Sequence, residues 1–311
     1  MKYMRDAVGE VLCELGERDE RVVVLDADLG HSTRAAVFGE RFPERYFQMG
    51  IAEQNMIGVA AGLAAEGKIP FVSTFAIFGA RAWEQIRLSV AYSRLPVRFI
   101  FTHAGIATGP DGASHQMTED IALMAAIPGM AVFSPSDYSS AKWALREAYA
   151  WPGPAYIRMV RPKSPLVYPE DYPFAPTVAH GRVSDPAVIS TGLLTPIALT
   201  AQRLLSEMGI PCVVYDVLRL KPAEPAWLRR GHRFIVVAED HVRHGGLFSV
   251  VAQTLVEAGE SARIAPVNAG DSFGESGETD ELYEKHGFTP ERIAGLLAHY
   301  LGSNKDASRG S

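Results

Sequence analysis

Residues 49–76, MGIAEQNMIGVAAGLAAEGKIPFVSTFA, decide the fold class because they place a helix directly before a buried strand. The first part, 53–66, is rich in Ala and Gly, which suits a helix packed closely against the backbone of a neighbouring element. The second part, 69–76, is continuously apolar and lacks the polar alternation of a half-exposed strand. A crossover helix beside a strand buried on both faces is typical of a parallel α/β sheet.

The same β-α rhythm extends in both directions along the chain. Strands are predicted at 21–28, 69–76, 97–105, 130–137 and 155–161, and helices at 53–66, 79–94, 118–127 and 138–150. Ser136 and Asp137 precede the last of these helices and supply a plausible N-cap. We therefore predict a doubly wound parallel sheet.

A proline-rich segment, 161–177, separates this region from a second one and is typical of an extended linker. After it, strands are predicted at 187–191, 212–220, 233–240 and 262–268, with helices near 195–208, 246–258 and 289–301. We predict two α/β domains, residues 1–170 and a smaller one at 171–301. The polar end, 302–311, is predicted to be a disordered tail.

The overall charge and composition exclude several classes of partner. The chain has 311 residues with a formal net charge of −6 and no block of like charge, so neither a nucleic-acid footprint nor a basic membrane-binding face is indicated. No apolar run reaches the roughly 18 residues that a membrane span requires. Cys13 and Cys212 lie far apart and no signal sequence precedes them, so we expect a cytoplasmic protein.

Polar residues follow the predicted strands at their carboxyl ends, where open α/β sheets bind ligands. DADLGHST (26–33) follows the first strand, and THAGIATGPDGASHQ (102–116) follows the third. The second segment carries His103, Asp111 and His115 among glycines. Their spacing matches no strong metal motif, and the chain has no G-x-x-x-x-G-K-[ST] or G-x-G-x-x-G phosphate loop.

Glu53 stands at the head of the small-residue helix. By its position alone it is a solvated charge, a partner of the helix dipole or a working acid. Gly58 and Gly62 behind it form G-x-x-x-G, a spacing that in a non-membrane chain indicates tight packing on a sheet or neighbouring helix.

The ordered series of motifs carries a family resemblance. GIAEQNMIGVAAGLA (50–64), STFAIF (73–78) and the long segment 101–137 resemble the pyrimidine-binding domain of transketolases, which use thiamine diphosphate. EDHVRHGGLFSVVAQTL (239–255) and 271–293 resemble the third domain of that family. The whole chain is similar to the carboxyl-terminal half of a transketolase divided into two subunits. The resemblance implies a pyrimidine-binding α/β domain followed by a transketolase C-terminal-like domain.

The resemblance also assigns residues to the cofactor. Glu53 would be the acid that hydrogen-bonds N1′ of the aminopyrimidine, and an apolar setting generally favours a protonated carboxyl. Phe78 would be the stacking ring with Phe75 beside it, although both also suit plain core packing. Asp28 would lie on the cofactor side. The third aromatic of the family falls at Arg81 here, which is a departure from the single-chain enzymes.

For the sugar, the resemblance places Asp111 on the donor hydroxyl next to the reacting carbonyl, and His115 on the reacting oxygens for proton transfer. A terminal phosphate would bind Arg5, Ser32, His103 and Arg161, because guanidinium, hydroxyl and imidazole donors suit a dianion. The catalytic set predicted in this way is Glu53, His103, Asp111 and His115. Arg158 points to the opposite strand face from Arg161 and is predicted to be a surface or interface charge.

The Mg²⁺-binding G-D-G followed by Asn, which this family carries in its amino-terminal domain, is missing here. The resemblance therefore implies a separate N-terminal subunit of about 250–300 residues that ligates Mg²⁺ and completes an α2β2 heterotetramer. Sugar phosphates are the expected substrates, in pentose-phosphate metabolism.

Other functions stay open. A 1-deoxyxylulose-phosphate synthase-like protein and the β subunit of a 2-oxo-acid dehydrogenase share the glutamate, although the DGASHQ and EDIALMAAIPGM segments favour a sugar-transferring enzyme. A non-catalytic regulatory or binding module of the same fold is a further alternative, as is an unusual sugar acceptor.

Overall fold

The computed structural model describes residues 1–224 and 231–307, with side chains described up to 301. The first part of the chain forms β1 (Lys2–Tyr3), α1 (Asp6–Arg18), β2 (Val22–Asp26), α2 (Gly30–Thr33), α3 (Ala36–Arg41), β3 (Tyr46–Gln48), α4 (Glu53–Ala65), β4 (Ile69–Phe75), α5 (Ala76–Gly79), α6 (Trp83–Gln85), β5 (Arg98–Thr102), α7 (Asp120–Ala125), β6 (Ala131–Phe133), α8 (Tyr138–Ala150), β7 (Ala155–Arg158) and β8 (Lys163–Ser164). The second part forms β9 (Thr177–His180), β10 (Ala187–Ser190), α9 (Leu194–Glu207), β11 (Val213–Val217), β12 (Arg219–Lys221), β13 (Phe234–Ala238), α10 (Leu247–Glu257), β14 (Arg263–Val267), α11 (Thr279–Lys285) and α12 (Pro290–Ala307).

The predicted α/β class is confirmed, because both large sheets are mostly parallel. Within the described residues, the first sheet has the order β12-β6-β7-β5-β4-β2-β3 and is parallel except for β12. The second has the order β14-β13-β10-β11-β9 and is parallel except for β9. Alternate residues of β2 contribute to separate hydrophobic clusters, Val22 and Val24 to one and Val23 and Leu25 to the other. This strand is therefore buried on both faces, as its continuous hydrophobicity predicts.

The predicted strand 212–220 is not one strand. Its first part forms β11 in the second sheet, whereas β12 pairs antiparallel with β6 at the edge of the first sheet. Buried Leu218 marks the crossing, and its carbonyl accepts a hydrogen bond from the Ser134 N–H at 2.9 Å. Continuous hydrophobicity indicates that a strand is buried but not which sheet it joins. The sequence pattern therefore predicts β11 and β12 as a single strand.

The helix predicted at 79–94 is broken into short pieces. It consists of the end of α5, a 3₁₀ turn at Ala80–Ala82, α6 and a π-helical segment at Ile86–Tyr92. Gly79 lies so close to Phe101 of β5 that a Cβ there would be 2.2 Å from the ring. The N-cap predicted before α8 is confirmed, since the Asp137 carboxylate accepts a hydrogen bond from the Ser140 N–H at 2.8 Å.

The domain boundary near 170 stays a prediction. Within the predicted linker, β8 pairs with β1, which the sequence pattern does not indicate. Helix α12 continues to Ala307, past its predicted end at 301, so the first part of the predicted disordered tail has helical backbone. Extending an established helix costs little per residue, which explains the difference. Residues 308–311 of that tail lie outside the described residues.

In the described ranges, no helix combines the length and the apolarity that a membrane crossing requires.

Candidate active site

The predicted site residues lie at one edge of the first sheet. Strands β5, β4 and β2 are parallel neighbours, so the segments that follow them emerge side by side. The segment after β5, residues 103–116, is named the histidine loop below. It contains an irregular 3₁₀ segment at Ile106–Asp111 and has positive φ angles at several positions, which give it a sharply bent course: His103, Gly105, Gly109 and Gly112.

Glu53 is the first residue of α4 and is only 7% exposed. Among the described residues, its carboxyl group has no hydrogen-bond or ion-pair partner. Neither carboxyl oxygen is among the fully buried polar atoms that lack a hydrogen-bond partner, so the group keeps some solvent contact and can be reached by a ligand. With so little of its surface exposed, Glu53 is nevertheless not a solvated surface charge.

The aromatic residues and the histidines form one continuous stack. The Phe75 ring lies 3.6 Å from the His103 ring and 5.6 Å from the Phe78 ring, centroid to centroid, and both pairs are stacked. Phe78 meets His115 edge-on at 5.5 Å. Phe75 is buried between its neighbours, which suits packing, whereas Phe78 is partly exposed and offers a ring surface to a ligand.

His103 is buried and uncharged at neutral pH. Burial, followed by the positive charges of Arg5 and Arg161, lowers its pKa to about 3. Its Nδ1 lies 2.8 Å from the Thr102 hydroxyl, which fixes the ring orientation. In the sequence, only the position of Thr102 directly before His103 indicates this contact.

Two arginines approach each other beside the histidine loop. The Arg5 Nη1 donates to the Ser32 carbonyl at 3.1 Å, and the Arg161 Nη1 donates to the Thr108 carbonyl at 2.8 Å. Burial and the charge of Arg34 lower the pKa of Arg5, with a smaller contribution from Arg161. Its buried Nε has no hydrogen-bond partner. Arg161 also faces Asp111, at 3.9 Å between Nη2 and Oδ1.

A cavity of about 750 Å³ opens next to these arginines. Among the described residues, its lining includes Arg5, Arg161 and Lys163 but neither Glu53 nor Phe78. The structure thus divides the predicted site residues into an acid-and-aromatic group and a cationic group. His103 contacts Phe75 of the first group, and the charges of Arg5 and Arg161 in the second group act on its pKa.

Two family models match the chain. The model of the transketolase pyrimidine-binding domain matches residues 1–165, and that of the transketolase C-terminal domain matches 180–293. The chain belongs to the transketolase family. It therefore has the two domains of a transketolase carboxyl-terminal section, as the sequence motifs predict.

Individual relatives agree with this assignment along nearly their whole length. A Methanocaldococcus jannaschii protein described as a transketolase C-terminal section is 44% identical, with 94% of each chain covered. The 6-deoxy-6-sulfo-D-fructose transketolase subunit of a Clostridium species is 38% identical, with 98% of this chain and 96% of that protein covered. A solved structure titled as a split gene transketolase, inactive beta4 tetramer, is 41% identical and superposes with a TM-score of 0.88, covering 96% of this chain and 98% of that one.

The family also contains enzymes of a different reaction. A 1-deoxy-D-xylulose-5-phosphate synthase of Symbiobacterium thermophilum is 33% identical, with 93% of this chain but only 45% of that enzyme covered. Family membership alone therefore does not select the reaction.

The family implies thiamine diphosphate, and the residues present fit its aminopyrimidine. A carboxyl without a partner among the described residues and a partly exposed aromatic ring are the groups that a heteroaromatic ring nitrogen and a stacking face require. Arg81, where the resemblance expects a third aromatic, has an exposed side chain, and its carbonyl accepts a hydrogen bond from Gln54 Nε2 at 3.2 Å.

Asp28 follows β2 and is exposed, with a φ angle of 61°. Its backbone N–H donates to Gln48 Oε1 at 3.0 Å. The buried neighbour Asp26, which the sequence analysis did not single out, shapes this turn by accepting hydrogen bonds from the Leu29 N–H at 3.1 Å and Gln48 Nε2 at 2.7 Å.

The prediction of Arg158 as a surface charge is wrong. Its side chain is 2% exposed; Nε donates to the Asp120 carboxylate at 2.8 Å and Nη2 to the Asp240 carbonyl at 2.7 Å. Burial opposes the charge, yet the carboxylates of Asp120 and Asp240 keep the pKa of Arg158 above its ordinary value. Strand β7 ends at Arg158, so Arg161 lies beyond the strand and its direction is not set by the two-residue alternation.

Proposed function

We propose that this chain is the C-terminal subunit of a thiamine-diphosphate-dependent transketolase. The enzyme would transfer a two-carbon ketol unit from a ketose phosphate to an aldose acceptor, and would be active only with a separate N-terminal subunit. The observation that carries the proposal is the largely buried Glu53, whose carboxyl has no partner among the described residues, at the same edge of the sheet as the aromatic and histidine group.

In this proposal Glu53 holds a proton toward N1′ of the aminopyrimidine, and Phe78 stacks on that ring with Phe75 behind it. Asp28 lies on the cofactor side of the same edge. When bound, thiamine diphosphate supplies a carbon nucleophile that the side chains of this protein lack. The protein's own contribution is to bind and orient the reacting groups and to exclude water.

The histidine loop is proposed to act on the sugar. His115, which contacts the edge of Phe78, would hydrogen-bond the reacting oxygens and move a proton there. Neutral His103 would donate or accept a hydrogen bond without adding charge. Asp111 would bind the adjacent donor hydroxyl.

Arg5, Ser32, His103 and Arg161 are proposed to bind the terminal phosphate. Burial, the charge of Arg34 and, to a smaller extent, that of Arg161 lower the pKa of Arg5, and a phosphate dianion would offset this unfavourable setting for a positive charge. The unpartnered Arg5 Nε supplies a free donor at this point.

A partner subunit is proposed for two reasons. Relatives matched along nearly their whole length are described as a transketolase C-terminal section and a split gene transketolase, so the Mg²⁺ ligands are assigned to a partner in an α2β2 heterotetramer. In addition, the predicted packing of Gly58 and Gly62 within the chain is not found: both are exposed, and a Cβ at either would meet nothing within 4 Å. This open face of α4 begins beside Glu53 and next to Ile51, which is 83% exposed. We propose that it is covered in the assembly.

The deciding experiment combines this chain with its candidate N-terminal partner, thiamine diphosphate, Mg²⁺, xylulose 5-phosphate and ribose 5-phosphate. Transfer by the wild-type mixture, none by either subunit alone and a large loss with Glu53→Gln would support the proposal. Full activity with Glu53→Gln, or no activity in the mixture, would contradict it.

The alternatives predict different products in the same mixture. A 1-deoxyxylulose-phosphate synthase, the reaction of the relative that shares 33% identity, would consume pyruvate and release CO₂. A dehydrogenase β subunit would decarboxylate 2-oxo acids, and a non-catalytic module would do neither. Replacing xylulose 5-phosphate by pyruvate and measuring CO₂ separates both pyruvate-consuming enzymes from a transketolase and from a non-catalytic module. Formation of a 1-deoxyketose phosphate from pyruvate and an aldose phosphate then distinguishes the synthase from the dehydrogenase subunit.

A further inference from the structure

Asp240 joins the C-terminal region to the histidine loop. It follows β13, only 2% of it is exposed, and its carboxylate accepts hydrogen bonds from the backbone N–H of Ile106 at 2.9 Å and of Ala107 at 3.3 Å. The Tyr283 hydroxyl donates to the same carboxylate at 3.0 Å. The Asp240 carboxylate thus holds the backbone N–H groups of Ile106 and Ala107, which follow His103 by three and four residues.

The close approach depends on a glycine. Gly105 has a φ angle of 79°, and a Cβ at this position would lie 2.3 Å from the Asp240 carboxylate oxygen. Only glycine combines this backbone conformation with the space that the carboxylate occupies. The loop backbone and Asp240 are therefore fitted to each other.

The second half of the histidine loop is held by the same region of the chain. Gln116 Nε2 donates to the Glu275 carbonyl at 2.9 Å and to the Gly109 carbonyl at 3.3 Å. The Thr279 hydroxyl donates to the Ala107 carbonyl at 3.2 Å. Unlike these groups, Asp240 has an ionisable side chain, and it binds the part of the histidine loop that lies closest in sequence to His103.

We infer that Asp240 is a positioning residue that sets the placement of His103, Asp111 and His115 by holding the backbone of the histidine loop. The inference rests on the proposed function, because those side chains act on the sugar in that proposal. It gives the C-terminal domain a defined part in the reaction although that domain supplies none of the proposed catalytic side chains.

Two substitutions of Asp240 are expected to weaken its hold on the histidine loop to different degrees. Asp240→Asn keeps one acceptor oxygen for Ile106 but turns an amide donor toward the Ala107 N–H, and Asp240→Ala leaves both donors unsatisfied. A displacement of reacting groups by about 1 Å costs up to about 100-fold in rate. We expect kcat/KM of the complex to fall roughly 10-fold to 100-fold for Asp240→Asn and further for Asp240→Ala, with unchanged affinity for thiamine diphosphate.

Asp216→Asn is the matched control. Asp216 is a buried carboxylate that accepts hydrogen bonds from the hydroxyls of Ser136, Tyr168 and Thr195 and does not contact the histidine loop. A loss of stability alone would appear in this variant as well, whereas a loss of loop position would not.

The first measurement is amide hydrogen exchange in the isolated full-length chain. We expect the amides of Ile106 and Ala107 to exchange faster in both Asp240 variants and at the wild-type rate in Asp216→Asn. Unchanged exchange in Asp240→Ala would overturn the inference. This readout needs neither partner nor substrate, so it remains decisive for Asp240 even if the wild-type mixture shows no transfer and the proposed function fails.

The second measurement is a double-mutant cycle for kcat/KM in the complex. If Asp240 acts by positioning the His115 imidazole, Asp240→Asn should lower kcat/KM by a smaller factor in a His115→Ala background, because that imidazole is already gone. A purely structural role lowers activity by the same factor in both backgrounds. Equal factors would contradict the inference.

Discussion

Replacing Arg158 by Met tests whether the buried ion pair stabilises the protein. The substitution removes the guanidinium bonds to the Asp120 carboxylate at 2.8 Å and to the Asp240 carbonyl at 2.7 Å. Asp120, 2% exposed, then keeps the Tyr156 hydroxyl at 2.6 Å as its hydrogen-bond donor, while its Oδ1 already lacks a partner. Removing one partner of such a buried pair costs about 3–5 kcal/mol.

That free energy corresponds to a fall in Tm of roughly 10 °C for a protein of this size class. Urea and thermal unfolding of the isolated chain measure it. In Arg158→Met combined with Asp120→Asn, the Asp120 carboxylate that would lose its guanidinium partner is gone, so we expect the double variant to recover part of the stability, with a coupling of about 2–3 kcal/mol.

Arg146→Met is the matched control, because Arg146 pairs with Glu14 at 2.7 Å but its side chain is 43% exposed. Its loss should stay below about 1 kcal/mol. If Arg158→Met costs no more than this control, or if the effects of Arg158→Met and Asp120→Asn simply add, the reasoning from burial is refuted.

Three further perturbations test other parts of the structure. Burial raises the pKa of Asp216 to about 7 from 3.8, so the folded state binds the proton more tightly and this group's contribution to stability falls as pH rises from about 4 to 7. Unfolding free energies across that range should show a weaker fall for Asp216→Asn; parallel curves would contradict this. Gly105→Ala should lower both Tm and transfer activity, since its Cβ meets the Asp240 carboxylate at 2.3 Å; wild-type activity of this variant would show that the loop tolerates a shift. Arg161→Ala should raise KM for phosphorylated sugars about 10-fold or more, the effect of losing a charge-assisted hydrogen bond, and Arg161→Lys should recover only part of it. Steady-state kinetics measure both, and an equal rise with a non-phosphorylated donor would show that Arg161 does not bind phosphate.

The sequence predicts the parallel sheet well because burial on both faces leaves continuous apolar runs. Strand β2 is one example, and its residues divide between two hydrophobic clusters. Which sheet a strand joins depends on distant backbone, so the separation of β11 from β12 leaves no local signal. The short strands β1 and β8 are likewise defined by pairing with each other.

The sequence motifs select the candidate site residues but do not indicate which of them contact one another. Motif resemblance selects Glu53, Phe78, His103 and His115, and the structure brings the last three into one stack through Phe75. The burial of Arg158 could not be predicted, since its partners Asp120 and Asp240 are distant in sequence. The roles of these residues remain proposals.

The edge strand β12 has a consequence for how such a gene can be divided. A fragment ending near residue 170 would lack β12, and the unpaired backbone of β6 would be an open template for aggregation. A chain break between the two domains is therefore structurally costly, and the pair is expected to be inherited as a single unit.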